Sequence, residues 1–168
     1  MARLLVIHHS PTRGVASLTQ AALAGTRDES IEGVDVVERR ALDFATGDAD
    51  HEDLLAADGY LIGTTANFGY MSGALKHVFD STFLQVGGAL DDSGGGTESD
   101  GATKGRPFGL YVHGRYDTTG AVRSVLSIVG ALGWRQGFDV LEVMGDVTDQ
   151  HRERAYELGG TLAALVAS

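Results

Sequence analysis

The sequence contains no cysteine. Disulfides, thiol nucleophiles, cysteine-phosphatase chemistry and iron–sulfur ligation are therefore excluded. Basic residues are scarce: 13 Lys and Arg stand against 23 Asp and Glu, for a net charge of −10. Nucleic acid and anionic membrane are not expected as partners, because each would repel such a surface. No run approaches the ~18 apolar residues that a membrane span requires. The N-terminus lacks a charged segment followed by a long apolar one, so no signal peptide is read and a cytoplasmic location is expected. Missing too are G-x-x-x-x-G-K-[ST], G-x-G-x-x-G and G-x-S-x-G. Their absence removes the P-loop, the dinucleotide fingerprint and the nucleophile elbow. A phospho-acceptor receiver would need aspartates where the first and third strands end, and those ends read HHS and GTT.

What is present reads as one globular domain spanning residues 1–168, with 43% hydrophobic and 21% charged residues. Predicted strands at about 3–9, 33–42, 59–64, 107–114 and 137–145 alternate with predicted helices at 15–26, 50–58, 72–83, 120–133 and 149–167. Such alternation implies a five-stranded parallel sheet with helices on both faces. The first, third and fourth strands are nearly continuous apolar runs, as strands buried on both faces should be. The second carries Asp35, Glu38 and Arg39, which suits an edge. Ligands of such sheets bind beyond the carboxyl ends of the strands, so the loops at 10–14, 64–71 and 113–119 matter most. The acidic, glycine-rich stretch 87–105 reads as a flexible surface loop rather than a substrate lid.

The first of these loops, SPTRG (10–14), joins a strand to a helix. Hydroxyls, a glycine and free amides at a helix N-terminus suit an anion, and equally suit a simple capped turn. No metal site is read: His8 and His9 are adjacent on a strand and point to opposite faces, while His51, His77 and His151 lack ligand-spaced partners. His113 differs, because it ends the fourth strand at the ligand edge.

The second loop is more specific. GTTANFGYMSGALKHVFDST resembles the corresponding segment of the flavodoxin-like family, in particular NAD(P)H-dependent FMN reductases and WrbA-type quinone reductases, through Gly63, Thr64, Phe68, Gly69, Met71, Ser72, Lys76, Phe79 and Asp80. HSPTRG and VHGRYDTTGA extend the resemblance over nearly the whole chain. It implies a flavodoxin-like three-layer α/β sandwich, strand order 2-1-3-4-5, and FMN as cofactor. The FMN phosphate would sit on Ser10, Thr12, Arg13, Gly14 and Val15. Thr64, Thr65, Ala66, Asn67, Phe68, Gly69 and Tyr70 would lie along one edge of the isoalloxazine, and His113, Gly114, Arg115 and Asp117 on its opposite side. Arg13 and Val15 stand where many relatives have Gly and Thr, and Thr65 and Tyr70 where Pro and Asn are usual.

Three functions follow from this resemblance. The first is an oxidoreductase passing hydride from NADH or NADPH through FMN to a quinone, flavin or similar small acceptor. The second is a flavodoxin-type electron carrier, which the acidic charge suits. The third is a flavin-free module on the same fold. The reductases are matched more closely by NFGYMSGALKHVFD, which places the first ahead. FMN carries the hydride chemistry in that scheme, so no protein residue is assigned as catalytic. Members of the family are often dimers or tetramers, and a homodimer or homotetramer is expected here.

Overall fold

The computed structural model describes residues 1–87 and 101–168. Most of the acidic, glycine-rich stretch predicted as a loop lies outside the described residues. The elements are β1 (Ala2–His8), α1 (Arg13–Thr26), β2 (Val34–Arg40), α2 (Asp43–Thr46), α3 (His51–Ala56), β3 (Gly59–Asn67), β4 (Tyr70–Met71), α4 (Gly73–Val86), β5 (Pro107–Gly114), α5 (Thr119–Ala131), β6 (Arg135–Gln136), β7 (Leu141–Met144) and α6 (Asp149–Ala167).

The main sheet is parallel and runs β2-β1-β3-β5, with β6 and β7 both paired to the far side of β5. The expected order 2-1-3-4-5 therefore holds. The fifth strand, expected unbroken over 137–145, is instead split. Phe108 pairs with Gln136 but Tyr111 pairs with Leu141, so two extra residues bulge out between them. The second strand ends early, at Arg40: the Ala41 amide makes the last bond to β1, to the His8 carbonyl at 2.7 Å, and Asp43 opens α2. The third strand runs three residues past its expected end, to Asn67, and folds back antiparallel on β4. Helix α3 is shorter than expected and starts in a capping box made by Asp50 and Asp53.

Both faces of the sheet are buried. Leu5, Ile7, Ile62, Leu110 and Val112 face α4 and α5, and on that side Trp134 stacks on Tyr60 at 3.8 Å. Leu4, Val6, Leu61 and Val143 face α1 and α6. Each such side chain contributes roughly 1.5–3 kcal/mol on burial. Helices α1 and α6 approach closely because Gly25 and Gly159 carry no side chain. A Cβ on Gly159 would lie 2.0 Å from the Ala22 carbonyl oxygen. This contact locks the C-terminal half of α1 onto α6. Among the described residues no helix is long and apolar enough to cross a membrane.

Candidate functional site

A cleft of about 1030 Å³ opens at the carboxyl ends of β1, β3, β5 and β7. Four loops wall it.

The first wall is the start of α1. Thr12 is its N-cap in extended conformation (φ −118°, ψ 158°), yet its hydroxyl makes no capping bond. The amides of Arg13, Gly14 and Val15 precede the first helical bond, from the Ala16 amide to the Thr12 carbonyl. No acidic side chain lies in the first turn, and the exposed Arg13 has no ion-pair partner among the described residues. Gly14 is required here by a close approach: a Cβ would lie 2.5 Å from Cε1 of His113. That imidazole is fixed from its other side, donating from Nε2 to the Gly145 carbonyl at 2.7 Å.

The second wall is the β3–β4 hairpin. Its turn is Phe68-Gly69, both with positive φ (52° and 74°), as a two-residue primed turn demands. Phenylalanine is a poor occupant of that region, and Phe68 is fully exposed. Thr65, Ala66 and Asn67 face the cleft beside it. Thr65 is only 6% exposed, and its hydroxyl is the buried side-chain polar atom without a hydrogen-bond partner among the described residues. A group left so costs about 1–3 kcal/mol unless something in the cleft pairs with it. The hairpin tip rests on α5, where a Cβ on Gly120 would be 1.9 Å from the Gly69 carbonyl oxygen.

The third wall is Gly114, Arg115, Tyr116 and Asp117. Asp117 accepts from the Thr119 amide at 2.9 Å at the start of α5, and hydrogen bonding to Thr119 holds its carboxyl below the usual range. Arg115 pairs with Asp146 at 3.4 Å. Tyr116 belongs to the expected 113–119 loop, whereas Ser17 was missed at the sequence level, as was the fourth wall, Gly145, Asp146, Val147 and Arg152. Applying the carboxyl-end rule to the fifth strand as well would have found it. Arg152 is tied to Asp149 and to the Val147 carbonyl.

Twelve of the sixteen residues predicted from sequence thus meet around one cleft. Four lie elsewhere. Val15 is fully buried in the core between the sheet and α1, so only its amide serves the helix start. Thr64 is buried, donating to the Thr65 carbonyl and accepting from the Ser72 amide at 3.1 Å. It braces the hairpin, and Ser72 in turn caps α4. Tyr70 lies on a separate groove beside Gly120 and Arg123. Ser10 is engaged from below, in a polar chain that runs Glu38–His8–Ser10–Thr19–Tyr111 with links of 3.1, 2.9, 2.7 and 2.7 Å. Burial pushes the Tyr111 phenol well above its usual pKa. Among the described residues no cluster of His, Asp or Glu is arranged to hold a metal ion.

No family model matches the chain. It is 32% identical over 91 residues to a flavodoxin from Aquifex aeolicus, a stretch covering 54% of this chain and 45% of that protein. The match therefore spans less than half of that relative's length. The structure is similar to that of an archaeal flavodoxin, with a TM-score of 0.73, 14% identity and 99% of both chains covered. It is similar also to a WrbA-like flavodoxin from Agrobacterium tumefaciens (TM-score 0.70, 15% identity, 99% and 98% covered) and to an NADH:FMN oxidoreductase in its apo form (0.71, 14%, 100% and 91%). At these identities the likeness establishes the fold.

Proposed function

We propose that this chain, which has the flavodoxin-like fold, binds FMN in the cleft and is an oxidoreductase, passing hydride from NADH or NADPH to a quinone, free flavin or similar small acceptor. One observation carries the reading. The uncapped, acid-free start of α1 opens onto the same cleft as the unpartnered Thr65 hydroxyl. An anion at one end and a hydrogen-bonding, partly apolar body along the wall describe a flavin mononucleotide.

The residues present fit that group. Thr12 and the amides of Arg13, Gly14 and Val15 would hold the phosphate, with the Arg13 guanidinium adding charge. Thr65 would gain the partner it lacks, and Ala66, Asn67, Phe68 and Gly69 would line the ring edge. Gly114, Arg115 and Asp117 would face it from the other wall, with His113 holding that wall to α1. Thr64 and Ser72 keep the hairpin at a fixed height, while Tyr70 flanks it outside the cleft. Bound FMN supplies the acceptance and release of electrons, and the chain binds, orients and tunes it. Arg115 brings positive charge to the cleft, which favours a reduced, anionic ring.

A visible spectrum of the purified protein with and without added FMN tests cofactor binding. NADH and NADPH oxidation with a quinone or free flavin tests the reductase. An electron carrier is the second reading, favoured by the net charge of −10 and by the exposed Asp117 and Asp146 beside the cleft. FMN binding without NAD(P)H oxidation would select it. Absence of any flavin spectrum would reject both. Sedimentation of the loaded protein checks for the homodimer or homotetramer.

A further inference from the structure

The polar chain under the start of α1 has a direction. Glu38 is a carboxylate and only accepts, so His8 donates to it from Nε2. With His8 neutral, Nδ1 is a bare acceptor and Ser10 spends its only proton on it. The Ser10 oxygen then accepts from Thr19, and Thr19 from Tyr111. Every donor points one way, and the Ser10 hydroxyl has nothing to offer the cleft.

Protonating His8 reverses one link. Nδ1–H now donates to Ser10, whose proton must move. Turning it back toward Thr19 would turn Thr19 toward Tyr111 and leave the Tyr111 O–H without an acceptor in a fully buried position. Turning it outward breaks nothing else, since Ser10 can accept from both His8 and Thr19. Ser10 lies two residues ahead of the N-cap Thr12, where the helix leaves its amides free.

We propose that Ser10 donates to an anion at the start of α1 when His8 is protonated, so that anion binding takes up a proton on His8. The proposal rests on reading that helix start as an anion subsite. His8 is a positioning residue here, and Ser10 a direct donor. The charged and titratable groups bearing on His8 are Glu38 from β2, Arg27 at 3.8 Å from Glu38, the adjacent His9, Tyr111 at the far end of the polar chain, and Arg40, its register partner, held by Asp43.

The test is an NMR titration of the histidine rings of the full chain, with His8→Gln used to assign the His8 signal. The probes are sulfate, which stays dianionic throughout, against chloride at matched ionic strength, and FMN against riboflavin. The His8 midpoint is expected to rise by about one pH unit with sulfate and with FMN, corresponding to tenfold tighter binding to the protonated form. In Ser10→Ala the rise should be largely lost. An unmoved His8 in the parent with sulfate, or with bound FMN, overturns the proposal, and the parent measurement needs no variant to fold. An equal rise in Ser10→Ala overturns it too, by tracing the effect to charge alone. FMN that fails to bind while sulfate shifts His8 overturns the flavin reading and leaves this one standing.

Discussion

Helix α5 offers two glycines whose replacement by alanine should have opposite signs. Gly130 faces open space, with nothing within 4 Å of where an added methyl would stand, so Gly130→Ala gains only the helix preference of alanine, up to ~1 kcal/mol. Gly120 meets the hairpin. Its Cβ would lie 1.9 Å from the Gly69 carbonyl oxygen, so the two backbones must separate by at least about 1.1 Å to reach even a tight 3.0 Å contact. No side-chain rotation relieves this, because the obstacle is main chain. Overpacking of this kind costs ~1–3 kcal/mol, more than the helix preference returns. Gly120→Ala should therefore lose about 1–2 kcal/mol, a drop of roughly 2–8 °C in melting temperature, while Gly130→Ala holds or gains. Thermal unfolding of the two variants beside the parent decides the matter. Gly120→Ala as stable as Gly130→Ala would refute the claim that the hairpin tip bears directly on α5.

Phe68→Asn should stabilise the chain by about 0.5–1 kcal/mol in urea unfolding, because asparagine tolerates the positive φ and the exposed ring gives up no packing. Thr12→Ala should weaken FMN at least tenfold and leave riboflavin unaffected, since a hydrogen bond to a charged phosphate is worth ~1.5–3 kcal/mol; fluorescence titration of both flavins reads it. Arg115→Ala should lower the two-electron midpoint potential of bound FMN by up to about 20 mV, a small shift because the guanidinium is exposed and shared with Asp146; spectroelectrochemistry measures it. The Asp28 carboxyl, bonded by Ser30 and the Tyr156 hydroxyl, should titrate at about 2. Its folded value lies below the unfolded one, so its stabilising effect is present above roughly pH 4 and fades as pH falls toward 2. Carbon NMR should show the midpoint rise in Tyr156→Phe.

Local pattern was sufficient for much of this molecule. Apolar runs at 3–9, 59–64 and 107–114 read as strands covered on both faces, and their alternation with amphipathic segments implied a parallel sheet, at whose carboxyl edge the cleft lies. The loops around Thr12, Thr65 and Arg115 were legible for the same reason. Where a side chain spends its hydrogen bond was not. Ser10 and Thr64 sit in the predicted loops, but the Ser10 hydroxyl joins a chain completed by Tyr111, whose partner Thr19 is 92 residues away, and Thr64 braces Ser72 across the hairpin. Strand order brings β5 beneath α1, and only that placement selects which hydroxyls face the cleft and which are consumed inside. The split of the last strand and the fourth wall at Gly145–Arg152 are likewise set by pairing with β5. Burial and helix periodicity are local properties that a chain carries in its order of residues. Hydrogen-bond partners and steric contacts such as Gly120 on Gly69 depend on distances between segments that only the packed fold brings together.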